Sequence, residues 1–405
     1  MKVWCIATLD TKGQEIDFVQ KRLEAAGVET LVVDVGCLGE AQAESDIPRE
    51  RVFEAAGTTA AEVKQRGDRG EAVTKAADGV AKLVLEAHAK GEVAGVLSVG
   101  GSAGTTIGTA AMRALPIGVP KVMVSTFASG NTRPFVRDKD IVMVNPIVDI
   151  SGLNRISRTV LGEAAAAMIG LVRHGTSAEE TGDRPLIGAT MFGVTTPCVE
   201  RARAVLEDAG YEVLVFHATG TGGQAMETLI RDGLIAGVLD ITTTELADEL
   251  VGGVLSAGPE RLTAAAEVGI PQVVSVGATD MVNFHGMSSV PESFRERNLY
   301  RHNENVTLMR TTEDECRAIG EDIGRKVAQC RGPALILLPR RGVSGIDRQG
   351  QPFDDPVARE ALFEALKRAA GSVLIELRDE HINDDAFAEA AARRLIEMMM
   401  THAKS

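Results

Sequence analysis

Three strand-to-helix junctions carry the residues best suited to chemistry. At 98–106 the run SVGGSAGTT places Gly100, Gly101, Ser102, Gly104 and Thr105 between an apolar run and a helical pattern. Such a loop offers unpaired backbone N–H groups at the positive end of a helix dipole, the arrangement that holds phosphates and carboxylates. Ser102, Thr105 and Thr106 add hydroxyl donors. The spacing is neither that of a Walker A loop nor that of the GxGxxG dinucleotide turn, and the same glycines also suit a tight packing turn. A second junction, HATGTGGQAMETL at 217–229, again sets glycines and threonines before a helix. A third, STFASGNTRPFV at 125–136, supplies Ser129, Gly130, Asn131 and Thr132. All three fall at expected strand C-terminal ends, the edge where open α/β sheets bind ligands.

Charged groups are expected along the same edge. TLDTKGQE at 8–15 brings Lys12, which can pair with a phosphate or carboxylate, and Asp10, suited either to a magnesium ion or to helix capping. His217 and His285 follow strand-like runs, where a general acid or base would sit. Arg340 stands with Arg341 before a Gly/Ser loop, as an anion clamp would. Lys12, His217, His285 and Arg340 are the candidate catalytic residues. His88, His174, His381 and His402 are expected in solvent. No HxH or HExxH pair exists, so the metal ligands stay unassigned. Asp240, Glu245, Asp248 and Glu249 form an acidic group that suits a helix start or a cation. Asp354 and Asp355 before Pro356 read as a helix N-cap.

The elements that must position these groups are short β-rich runs alternating with helical patterns. The runs lie at 3–8, 30–35, 93–99, 120–125, 185–190, 212–217, 235–241, 271–276, 333–339 and 372–377. Most are continuously apolar, as strands are when helices cover both faces of a parallel sheet. The halves also repeat each other: LEAAGVETLVVDVG matches LEDAGYEVLVFHATG, GEVAGVLSV matches GLIAGVLDI, and VPKVMVS matches IPQVVSV. Gly27 to Gly95 spans 68 positions against 27 from Gly210 to Gly237, so the first half carries about 41 extra residues, near 38–78. That polar tract is expected as a lid, a subunit contact or a surface excursion rather than core. The fold expected is α/β, with two Rossmann-like domains of mainly parallel sheets, 1–180 and 181–405, facing across a cleft. The join is expected in the polar run 173–185.

Composition narrows the function classes. The net charge of −14 and an aromatic content of 3% leave neither an electrostatic footprint nor a stacking surface for nucleic acid. No apolar run is long enough for a membrane span, and MKVWCIATLD opens without a charged-plus-apolar leader. The five cysteines are scattered and form no CxxC pair, as suits a reducing cytoplasm. Cytoplasmic residence is therefore expected.

TLDTKGQE, GGSAGTT, STFASGNT, VDISGLNRIS, HATGTGGQAME, HNENVTLMRTT and GVSGIDRQGQPFDDP occur in this order along nearly the whole chain. Together they resemble a family of uncharacterised bacterial, fungal and plant proteins. That family shares the N-terminal region of the tomato mosaic virus resistance protein, described as an ATP-binding domain. The resemblance implies two Rossmann-like domains, nucleotide binding by the first, and homodimers. It places ATP phosphates at Gly100, Gly101, Ser102, Gly104 and Thr105, with Ser129–Thr132 beside them. Ala103 stands where the family often has glycine. The plant protein has a further barrel domain, so a separate barrel-domain protein is an implied partner here.

The expected function is ATP, nucleotide or phosphate binding, with magnesium as a possible companion ion. The expected action is on a small phosphorylated or carboxylated metabolite in the interdomain cleft. The alternative is a non-catalytic nucleotide-binding module that regulates a partner protein. Hydride transfer with a nicotinamide cofactor has less support, because the first strand lacks the GxGxxG turn.

Overall fold

The computed structural model describes residues 1–37, 39–175 and 184–402. The chain divides into two compact units, Met1–Gly182 and Asp183–Ser405. The expected join at 180 lies outside the described residues.

The first unit holds strands β1 (Lys2–Ala7), β2 (Thr30–Asp34), β3 (Val93–Gly100), β4 (Lys121–Ser125) and β5 (Val142–Val144). Its helices are α1 (Leu9–Ala25), α2 (Arg49–Ala55), α3 (Ala60–Arg66), α4 (Arg69–Ala89), α5 (Ser102–Arg113), α6 (Arg133–Val136) and α7 (Arg155–His174). The sheet is parallel throughout, in the order β2-β1-β3-β4-β5. This is a doubly wound order whose direction reverses between β1 and β3. At that switch point the two following loops lead away to opposite sides, which leaves a crevice. Five of the six residues in β1 are buried, which explains its unbroken apolar run. One sheet face packs Trp4, Ile6 and Val96 against α2, α4 and α5. The other packs Cys5, Leu97 and Val99 against residues of α1 and α7.

The 38–78 tract departs from expectation. Its helices α2 and α3 and the start of α4 place Val52, Phe53, Val63, Ala72 and Ala76 in the core, each at most 2% exposed. A Cβ at Gly79 of α4 would overlap the backbone of Val52, so the two helices touch closely. The tract is charged because only one face of each short helix is buried, and a plain count of polar residues hides that face.

The second unit repeats the plan. Its strands are β6 (Leu186–Met191), β7 (Glu212–His217), β8 (Gly237–Thr242), β9 (Gln272–Gly277), β10 (Met281–Phe284), β11 (Leu299–Arg301), β12 (Thr307–Arg310), β13 (Ala334–Pro339) and β14 (Leu374–Arg378). Its helices are α8 (Thr196–Asp208), α9 (Thr221–Arg231), α10 (Thr244–Val251), α11 (Ala264–Val268), α12 (Glu313–Val327), α13 (Pro356–Ala369) and α14 (Asp385–His402). The main sheet runs β14-β13-β9-β8-β6-β7, again with its reversal between the first and third strands of the unit. Between β9 and β13 the chain inserts an antiparallel sheet, β10-β12-β11. Among the described residues no helix is long and apolar enough to cross a membrane.

Candidate functional site

The crevice at the first unit's switch point is a cavity of about 370 Å³. Thr8, Asp10, Thr11 and Lys12 line it from the end of β1, and Gly101, Ser102, Ala103 and Gly104 from the end of β3. The register sets Ala7 beside Val99, so the two loops leave the sheet side by side. The structure brings Lys12 together with three of the glycine-loop residues, Gly101, Ser102 and Gly104, in one cavity.

The glycines do different jobs. At Gly100 a Cβ would stand 2.6 Å from the Cα of Gly104, so this position is fixed by the close pass of strand and helix. At Gly101, by contrast, a Cβ would meet only the Thr126 Oγ1, at 3.9 Å. Gly101 occupies the N-cap of α5 and has no side chain to cap it, and among the described residues no other side chain bonds the first N–H groups of that helix. The first intrahelical bond runs from the Thr105 N–H to the Gly101 carbonyl, 2.8 Å. The N–H groups of the preceding turn therefore have no helical acceptor, and they belong to residues that line the cavity.

Charge enters from two sides. Lys12 interrupts the helical geometry of α1 with φ −128° and ψ 20°, and its Nζ donates to the Thr11 carbonyl at a long 3.4 Å. Arg69, the first residue of α4, brings a second cation, and Val73 and Cys37 complete that wall. Asp149 adds a carboxylate. Asp10 is not the cap of α1, which is Thr8. Its carboxylate instead accepts from the Gly39 N–H at 3.1 Å, and its carbonyl from the Gln42 side chain at 2.8 Å. Burial pushes the Cys37 thiol up to about 11, so it stays protonated at neutral pH. Arg69, Cys37 and Asp149 were not among the expected site residues. Arg69 was hidden in the charged tract, and Asp149 in the VDISGLN segment, which has no spacing signature of its own.

The other expected site residues fall elsewhere. The Thr105 hydroxyl is buried and bonds the Ser125 hydroxyl at 2.6 Å, so it ties α5 to β4. Ser129, Gly130, Asn131 and Thr132 lie in the turn after β4 and do not line the cavity. Gly130 N–H donates to the Phe127 carbonyl, and the Asn131 side chain accepts from the Arg133 N–H. His217, His285 and Arg340 belong to the second unit. His217 ends β7 at one edge of the main sheet, stacked on Phe192. Arg340 follows β13, four strands away, or about 19 Å along the sheet. His285 follows β10 of the inserted sheet. His217 and Arg340 share the C-terminal edge of the main sheet without meeting, and His285 lies on the other sheet. His381, expected in solvent, is 2% exposed, with Nε2 against the Ser344 carbonyl at 2.8 Å.

The second glycine loop has a different fate. Gly220 N–H and Gly223 N–H, at the start of α9, both donate to Glu245 Oε1, at 2.7 and 3.2 Å. The chain supplies its own anion there. Glu245 in turn meets Arg261 Nε at 2.6 Å, and Arg261 also binds Asp240 at 2.6 Å and Glu227 at 3.2 Å. Two members of the acidic group, Asp240 and Glu245, thus hold an arginine. Asp248 is separate: it accepts from the Leu255 and Asn283 N–H groups, yet burial still pushes it up to about 7. Burial likewise raises Asp280 and Asp347.

A pH dependence follows from these buried carboxyls. Between about pH 4 and pH 7 Asp248 is protonated when folded and ionised when unfolded, so unfolding releases a proton and stability falls as pH rises. Asp248 alone accounts for on the order of 4 kcal/mol across that window. Urea unfolding at several pH values should therefore show the second unit most stable near the acid end. The Asp248→Asn protein should show a flatter profile. Stability that rises from pH 5 to 7 would contradict the assignment.

Comparison with known proteins matches residues 1–177 to the N-terminal domain and residues 184–399 to the C-terminal domain of an uncharacterised protein family, UPF0261. A UPF0261 protein of Clostridium tetani is 50% identical, covering 98% of this chain and 99% of its own length. One from Rhizobium meliloti is 48% identical, covering 96% of this chain and 97% of its own. The tomato ToMV resistance protein Tm-1(GCR237) is 39% identical over 98% of this chain, but the match spans only 56% of the tomato protein. The matches cover both units in a single order, and the chain belongs to the UPF0261 family.

Proposed function

We propose that the first unit binds a nucleotide by its phosphates, in the crevice between β1 and β3, with ATP and magnesium as the expected form. The observation that carries this reading is the uncapped N-terminus of α5, opening on a cavity that also holds Lys12 and Arg69. The second unit supplies the internal contrast. There a helix N-terminus of similar sequence is closed by Glu245, whereas among the described residues no side chain closes α5. An exogenous anion at α5 would take the place that Glu245 takes at α9.

The lining fits such a ligand. Lys12 and Arg69 would meet phosphate oxygens, the arginine by its planar fork. Asp149 is suited to the magnesium ion, which is bound by one or two carboxylates together with phosphate oxygens. The ion would supply neutralisation of phosphate charge. Among the described residues the lining pairs no nucleophile with a base. That favours, as a second reading, a binding module whose nucleotide state regulates a partner.

Calorimetric titration of the intact protein with ATP and magnesium tests the proposal. Lys12→Ala should weaken binding about tenfold, the loss of one charge-assisted contact. A wild-type protein that takes up no nucleotide would overturn it.

A further inference from the structure

The geometry points to a second, separate ligand site inside the second unit: an arginine-lined cavity that takes a phosphate monoester. It lies beyond the C-terminal ends of β13 and β14, with a volume of about 590 Å³. Arg340, Arg341, Arg348 and Arg359 line it against two carboxylates, Asp354 and Asp384. This is a concentration of positive charge on a chain whose net charge is −14.

The cavity has a fixed floor and an exposed rim. Arg359 is 8% exposed and is held by Asp347, with Nη1 2.8 Å from Oδ1 and 3.2 Å from the carbonyl. His381, beside it, is held by Nε2 against the Ser344 carbonyl and by the Asn383 N–H donating to Nδ1 at 3.1 Å. A carbonyl partner fixes the proton on Nε2, and burial lowers the basicity of the ring, so His381 is neutral. The Gly342 backbone, at φ 129°, leaves no room for a Cβ beside the Asp347 carbonyl and His381. The floor is therefore preorganised.

On the rim, Arg341 and Arg348 make exposed ion pairs with Asp379 and Asp384, at 2.7 and 2.9 Å. Exposed pairs of this kind are weak and exchange readily for a better anion. Arg340 is exposed and has no ion-pair partner among the described residues. Arginines from three separated stretches of chain, 340–341, 348 and 359, line the space. That arrangement suits the several oxygens of a tetrahedral phosphate better than one planar carboxylate. The volume leaves room for the carbon skeleton that the phosphate carries.

The site is independent of the nucleotide reading, and its test can fail separately. The intact protein is titrated by calorimetry at low salt with glycerol 3-phosphate and, in parallel, with succinate. Glycerol 3-phosphate should bind, and the Arg340→Ala/Arg348→Ala protein should bind it at least about tenfold more weakly with its circular dichroism unchanged. Both changes are at exposed positions, so folding should survive them. Glycerol 3-phosphate should still bind the Gly101→Val protein, whose crevice is closed to phosphate, which separates this site from the crevice of the first unit. No binding of glycerol 3-phosphate, equal binding by the double variant, or preference for succinate would each overturn the assignment.

Discussion

Gly101→Val is expected to abolish ATP binding while leaving the protein folded. A Cβ at this position meets nothing nearer than 3.9 Å, so the sheet and α5 can keep their places. The branched side chain would project where a phosphate must approach the uncapped N–H groups. Ser102→Ala should do less. It removes one hydroxyl contact, worth about 1 kcal/mol or up to about 3 toward a charged partner. Gly100→Ala makes the opposite control: its Cβ, 2.6 Å from the Cα of Gly104, should damage folding rather than binding alone. Calorimetry with circular dichroism distinguishes the three. A folded Gly101→Val protein with wild-type affinity would make the loop a packing turn.

Arg261→Ala carries the second large effect. Arg261 is 1% exposed and is the cation shared by Asp240, Glu245 and Glu227. Those carboxylates also hold backbone. Glu245 closes the start of α9, and Glu227 accepts from Leu262 and Ala264, each at 2.7 Å. Without the guanidinium three buried carboxylates face one another. Breaking a buried pair by removing one partner costs about 3–5 kcal/mol, and here three partners are left behind. Urea unfolding followed by circular dichroism should show a loss of at least that size, or no folded second unit. A variant as stable as the wild type would mean that the carboxylates protonate at little cost.

The ten apolar runs legible in the sequence correspond to the ten strands β1–β4, β6–β9, β13 and β14, within one or two residues at most ends. Strands buried on both faces announce themselves by continuous hydrophobicity. The internal repeat was legible for the same reason, since equivalent strands of the two sheets face equivalent helices. The inserted sheet of β10, β11 and β12 was not, because MVNF, LYR and TLMR are short and mix polar with apolar residues. The burial of α2 was also hidden: two core residues, Val52 and Phe53, sit in a seven-residue helix that is otherwise charged or small.

At the candidate site the glycine loop and Lys12 were legible because both flank the ends of strong strands. Arg69 reaches the same cavity only through the packing of α4, which local sequence does not encode. The second glycine loop looks like the first until Glu245, more than twenty residues later, is seen to fill it. Which helix start is open and which is closed depends on long-range contacts of that kind.

The most direct test of the central claim is a crystal structure of the intact protein with a non-hydrolysable ATP analogue and magnesium. Phosphate oxygens within about 2.7–3.2 Å of the N–H groups of Ser102, Ala103 or Gly104, with Lys12 turned toward them, are the predicted result. A nucleotide bound elsewhere, with those N–H groups left to solvent, would contradict it.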